Sequence, residues 1–217
     1  MLNFSPSNPP PEVIEEELAK PSFLETGTCD DLKALYKVHL ATSPASTGQC
    51  RSDLFSNCPI RDYRYRLEGT HTIPTVLHAL ITRTDCTRHD FRSSAFIDRQ
   101  MRTMGAKDSD LKGHVISPEF CGPSEWFNLA PFSPLLLAED DNQSTGGINW
   151  QKMEQIWKRR IDERKEKIEA YIFMDYQEDS DSDKQPSRPK GFRVCSQYLE
   201  GYDTVAGEDD WYFQNGN

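Results

Sequence analysis

Two periodicities alternate along this chain, and each predicts its own kind of element. Tyr63, Tyr65 and Leu67 alternate with Arg64 and Arg66, the two-residue period of a strand with one buried face. Thr75–Thr84 fits a strand or a short helix, and Val76, Ile81 and the threonines favour strand. Phe91–Met104 is basic and fits either. Val115 and Ile116 predict a short strand, closed by a Gly122-Pro123 turn. Trp150, Met153, Ile156, Trp157, Ile161 and Ile168 then make an apolar stripe at helical spacing, so one long helix is expected over 149–168. Asn149, after Gly146-Gly147, is its N-cap candidate. Glu169–Tyr176 and Gly191–Tyr198 read as strands around an acidic loop, 177–190, with a further partner near Trp211-Tyr212-Phe213. Strands, a long helix and strands again imply an α+β domain with an antiparallel sheet.

The N-terminal part has a different character. Residues 1–11 are rich in Pro, Ser and Asn and predict disorder. A short helix is expected from Pro11 to Lys20, stopped by Pro21. A second is expected over Asp30–Ala41, with Leu32, Leu35, Tyr36 and Leu40 on one face. Residues 42–50 (TSPASTGQC) look like a linker. The expected division is a segment 1–58, partly disordered with short helices, and a main domain 59–217.

Composition narrows the function classes. The 217 residues suffice for one core with a small appendage. A formal net charge of −10 argues against a uniformly basic nucleic-acid binder. The charge is uneven, however: residues 61–112 carry ten Lys/Arg against seven Asp/Glu, and Lys158-Arg159-Arg160 adds a second basic cluster. A locally basic groove on an acidic protein is consistent with this. The N-terminus lacks the apolar and basic regions of a signal peptide, and no apolar run approaches the roughly 20 residues of a membrane helix. The six cysteines have no zinc-type spacing. Together these predict free thiols and a cytoplasmic or nuclear location, with secretion left open.

Candidate chemistry lies in KGHVISPEFCGPSEWFNLAP, residues 112–131, and in the helix that follows. The set Gly113, His114, Val115, Ile116, Phe120, Gly122, Pro123, Glu125, Asn128, Leu129 and Pro131, then Trp150, Met153, Glu154 and Trp157, resembles the DNA/RNA non-specific endonuclease family, in particular its toxin-type branch. Arg99-Gln100, Arg102 and Gly105 resemble the basic stretch upstream of that branch's histidine. The resemblance covers about residues 60–215, most densely 99–160.

It implies a ββα-metal finger embedded in the sheet, in which two strands and a helix hold one divalent cation. It further implies hydrolysis of phosphodiester bonds in DNA or RNA with little sequence specificity. His114 would be the general base, since an ordinary histidine accepts a proton near neutral pH. Lys112 would bring charge to the phosphate, Glu154 would order water, and Asn128 would complete the catalytic set. Arg99, Arg102 and Lys158 would grip the nucleic acid. Magnesium is the expected cofactor, because it accepts few protein oxygens and keeps several waters.

The chain departs from the family pattern in three places. Leu111 replaces an acid, with Asp110 adjacent; Phe132 replaces a polar residue; and Gly146 occupies the place of the metal-ligand asparagine. The connection before Trp150 is also long, so Asn142, Asn149 and Asp141 become the candidate metal ligands. These departures keep a second reading open, a degenerate nuclease fold that binds nucleic acid or a protein partner. A toxin-like arrangement is a third, in which an inhibitory partner, or the acidic segment 1–58, covers the basic groove.

Overall fold

The structure is a computed structural model and describes residues 24, 27–42, 47–50, 57–68, 71–86, 95–138, 148–176 and 188–216. Its frame is a six-stranded antiparallel sheet: β1 (Thr47–Gln49), β2 (Ile60–Glu68), β3 (His71–Ile81), β6 (Lys167–Tyr176), β7 (Pro189–Glu200) and β8 (Thr204–Gln214). The strands lie in chain order, with one excursion between β3 and β6. That excursion holds helix α2 (Ala95–Thr103), the hairpin of β4 (Leu111–His114) and β5 (Leu129–Phe132), a single turn α3 (Pro134–Leu137) and the long helix α4 (Trp150–Arg164). Helix α1 (Cys29–Thr42) precedes β1. The architecture is α+β with an antiparallel sheet, as the two periodicities imply.

Both faces of the sheet are covered, which is why β6 is buried over nearly all its length. On one face Ile73, Leu77, Ala170 and Ile172 join Trp150, Met153, Trp157 and Ile161 of α4 and Ala130 and Phe132 of the hairpin. On the other face Val76, Tyr171, Phe173 and Cys195 receive Leu32 and Tyr36 of α1. Edge strand β8 is exposed over Thr204–Val205 and carries Glu208, Asp209 and Asp210, charges that discourage pairing with another sheet.

Three expectations are corrected. Residue 59 is not a boundary of the folded unit: β1 pairs with β2, and α1 packs on the sheet and is bonded to it by a Cys29–Cys195 disulfide. The stretch 42–50 is thus part strand, not wholly linker. The long helix ends at Arg164, because Lys165 turns into the left-handed region at φ 58° and its N–H caps the Arg160 carbonyl; Ile168 belongs to β6. The cysteines are paired, not free: Cys29–Cys195, Cys50–Cys58 and Cys86–Cys121. The predicted helix at 11–20 and the disorder of residues 1–11 fall outside the described residues. Among the described residues, no helix is long and apolar enough to cross a membrane.

Candidate active site

The site grows out of the β4–β5 hairpin. Gly113 pairs with Ala130, and Phe132 lies so close over Gly113 that a Cβ there would stand 2.3 Å from the ring. Phe132 in turn meets Trp150 at 5.0 Å and Phe192 at 5.1 Å between ring centres. The glycine before the histidine is therefore a packing requirement. The departure at Phe132 has the same cause, since a polar side chain would sit between two core aromatics. Lys112 and His114 flank Gly113 and project from the other side of β4.

His114 is 9% exposed, and its Nε2 lies 3.0 Å from Ser124 Oγ. That contact spans the loop between the strands, which is closed by two 3-10 turns, Pro118–Phe120 and Trp126–Asn128. Asn128 holds the loop shut. It is fully buried; its Oδ1 accepts from Ile116 N–H at 2.8 Å, and its Nδ2 donates to the Ile116 and Pro123 carbonyls, each at 2.9 Å. Gly122 sits against the Ile116 carbonyl, where a Cβ would come within 1.8 Å. Asn128 was expected among the catalytic residues; its amide is bonded to backbone on three sides. Its work is to place Ser124 and His114.

Helix α2 packs on the hairpin through Ile97 and Met101 against Leu129. It is anchored by an Asp98–Lys112 ion pair and by Gln100, whose Nε2 donates to the Thr72 carbonyl at 2.9 Å. Arg99 and Arg102 lie exposed on this helix. Lys112 already has a carboxylate partner. Asp110, the acid nearest the missing family position, is turned away: it is buried in a forked pair with Arg188, at 2.7 and 2.9 Å.

Helix α4 brings the remaining candidates. Its Phe120–Trp157 contact, 6.0 Å between rings, docks it on the β4–β5 loop. Glu154 is half-buried on α4. Lys158 pairs with Glu119 of the same loop. Arg160 is committed to buried Glu166 at 3.2 Å and lies 4.0 Å over the Tyr198 ring. The Lys158-Arg159-Arg160 cluster is thus mainly a set of structural ties.

For the metal half, Asn149 is corrected. It is 2% exposed, its Oδ1 accepts from Lys152 N–H at 2.8 Å, and its Nδ2 donates to the carbonyls of Leu137 and Ala138. It caps the helix and ties down the chain before the long connection, so it does not suit a magnesium ligand. Asp141 and Asn142 lie outside the described residues. Among the described residues one His/Cys/Asp/Glu triplet brings three ligand atoms within 4.8 Å of one another: Cys29, Cys195 and Asp210, of which the cysteines are already bonded together.

One asparagine anchor and one serine were missed in the sequence. Ser124 carries no signal beyond its place after Gly122-Pro123. Asn215, fully buried, accepts from Ser133 N–H at 2.7 Å and donates to the Pro131 and Pro189 carbonyls at 2.8 Å, locking the hairpin to the sheet.

No family model and no curated protein matches this chain. Two solved structures of NucA from Streptococcus agalactiae are similar to it. The one with no metal bound covers 78% of this chain and 77% of its own, at 14% identity and a TM-score of 0.47. The one with magnesium bound covers 80% and 77%, at 14% identity and 0.48.

Proposed function

We propose that the chain is an endonuclease that hydrolyses phosphodiester bonds of DNA or RNA with little sequence preference. The observation that carries this reading is His114, held at the end of a hairpin strand by Ser124 and packed beside a helix that presents Arg99 and Arg102. Ser124 holds the imidazole through Nε2, and the ring takes the proton of the attacking water. The arginines draw in the phosphate backbone. No residue of the hairpin is set out to read base edges, which fits sequence tolerance.

Magnesium dependence belongs to the same proposal, with Asp141 and Asn142 of the long connection as its donors. Purified protein is expected to nick plasmid with magnesium and to lose this in EDTA and in His114→Ala. Full cutting by His114→Ala sinks the assignment of the base.

The commitment of Asn149 to capping favours a second reading, a nuclease fold that binds nucleic acid without cutting it. It predicts a salt-dependent gel shift with no magnesium-dependent nicking at any protein concentration. Helix α1 of the N-terminal segment does not cover the site, since it lies on the opposite sheet face. The three cysteine pairs support action in an oxidising compartment, against the cytoplasmic or nuclear location first expected.

A further inference from the structure

We propose that Trp126, Tyr63 and Tyr65 form a stacking surface for unpaired nucleobases next to the phosphate presented to His114. The proposal rests on the nuclease reading and adds to it a preference for single-stranded or locally melted substrate.

Trp150 and Trp157 are each 1% exposed and Trp211 is 7% exposed, all three in the core. Trp126 differs from them, being half-buried at the surface. Its ring meets Tyr63 at 5.5 Å and 88° and Tyr65 at 5.7 Å and 82°, both edge-to-face. Tyr63 is pinned from below, stacked flat on buried Phe127 at 4.3 Å and 5°. The three half-buried rings are therefore held in place by a buried fourth, with no ordering cost left for binding. Trp126 opens the 3-10 turn that ends in Asn128, two residues after Ser124, so one clamp fixes both the aromatic group and the partner of His114.

The local charge favours bases over phosphates here. Glu125 lies beside the rings, its carboxyl pushed up by burial, and burial together with Tyr65 and Glu125 keeps the Tyr63 hydroxyl protonated. Glu125 offers a phosphate no positive charge, whereas an uncharged base face needs none. Arg99 and Arg102, on α2, supply the phosphate contacts elsewhere on the module. A duplex hides its base faces within its own stack, so only an unstacked base can use this surface.

The test uses the full oxidised chain carrying His114→Ala, with magnesium present. It is titrated with oligothymidylate and with an abasic strand of equal length, reading both labelled-strand anisotropy and tryptophan emission. Oligothymidylate should bind at least about tenfold tighter than the abasic strand and quench emission. Trp126→Ala should remove that preference, Trp126→Phe should keep most of it, and Tyr65→Leu should weaken it while leaving the core intact. Equal binding of the two strands, or a preference surviving in both Trp126→Ala and Tyr65→Leu, overturns the stacking surface. Binding with the expected preference but no cutting by the wild type overturns the nuclease reading alone. Failure of both strands to bind overturns both.

Discussion

Replacing Asn128 by alanine separates a clamp from a catalyst. The wild-type side chain makes three buried hydrogen bonds, at 2.8, 2.9 and 2.9 Å, to the N–H and C=O of Ile116 and the C=O of Pro123. Alanine strands all three backbone groups in a site with no exposure. A buried polar group left unpaired costs about 1–3 kcal/mol, so the expected loss is about 3–6 kcal/mol, reduced where water enters. Against a total stability of about 5–15 kcal/mol this is large. Guanidinium unfolding of the oxidised protein should show a midpoint shifted down with an unchanged slope. Asn128→Asp should do no better, because it keeps the acceptor but points a carboxylate at two carbonyls. A loss below about 1 kcal/mol, combined with abolished cutting, would refute the clamp and restore a catalytic role.

Further outcomes follow from other ties. Ser124→Ala should lower kcat about tenfold, the worth of one lost hydrogen bond of about 1.4 kcal/mol, and alter the pH profile, while Ser124→Thr should rescue both; unchanged kinetics would remove Ser124 from the site. Arg188→Ala leaves Asp110 buried and unpaired and should cost about 3–5 kcal/mol, read by thermal melting; a loss within 0.5 kcal/mol, about the scatter of surface substitutions, rejects the pair as a stability element. Serine at Cys29 and Cys195 opens a closure of 166 residues and should cost about 5 kcal/mol on the chain-entropy account. His78 sits between Asp62 and Glu169, at 3.0 Å from each. Burial alone would lower its pKa, but the two carboxylates outweigh this and raise it above 6.5, while the His78 hydrogen bond holds Glu169 below 4.5. The His78 contribution is complete below 6.5 and lost as pH rises through its raised value, and that of Glu169 is lost as pH falls through its lowered one. His78→Gln should therefore destabilise most between pH about 4.5 and 6.5 and least near pH 9, as followed by urea unfolding; a penalty independent of pH would show that the clamp is not ionic.

Much of the frame was legible because its residues repeat. Trp150, Met153, Trp157 and Ile161 are the buried stripe of α4, and Asn149 is its cap. Tyr63 alternates with arginines on β2 as a half-buried strand should. Helix α2 stayed open between strand and helix in the sequence, because basic residues interrupt the Ile97 and Met101 spacing. The end of α4 was not readable, since Lys165 takes a positive φ with no glycine to announce it. Three-residue β1 is too short to have a period. Six cysteines permit fifteen pairings, and only proximity in the fold selects among them. Within the site, the Gly113-His114 pair and its helix were visible as a pattern. The roles of Ser124 and Asn215 were not, because each depends on bonds to residues that no local spacing brings together.

The excursion between β3 and β6 has a consequence for how this protein can change. Strands β1 to β8 otherwise follow one another as a meander, so the sheet's register is set by neighbours in sequence and owes nothing to the chemistry above it. Residues 82–166 are cargo on that frame, fastened to it through an apolar face and the Asn215 lock. Such cargo can lose or shift a ligand, lengthen a connection or retune its substrate without disturbing a single strand pair.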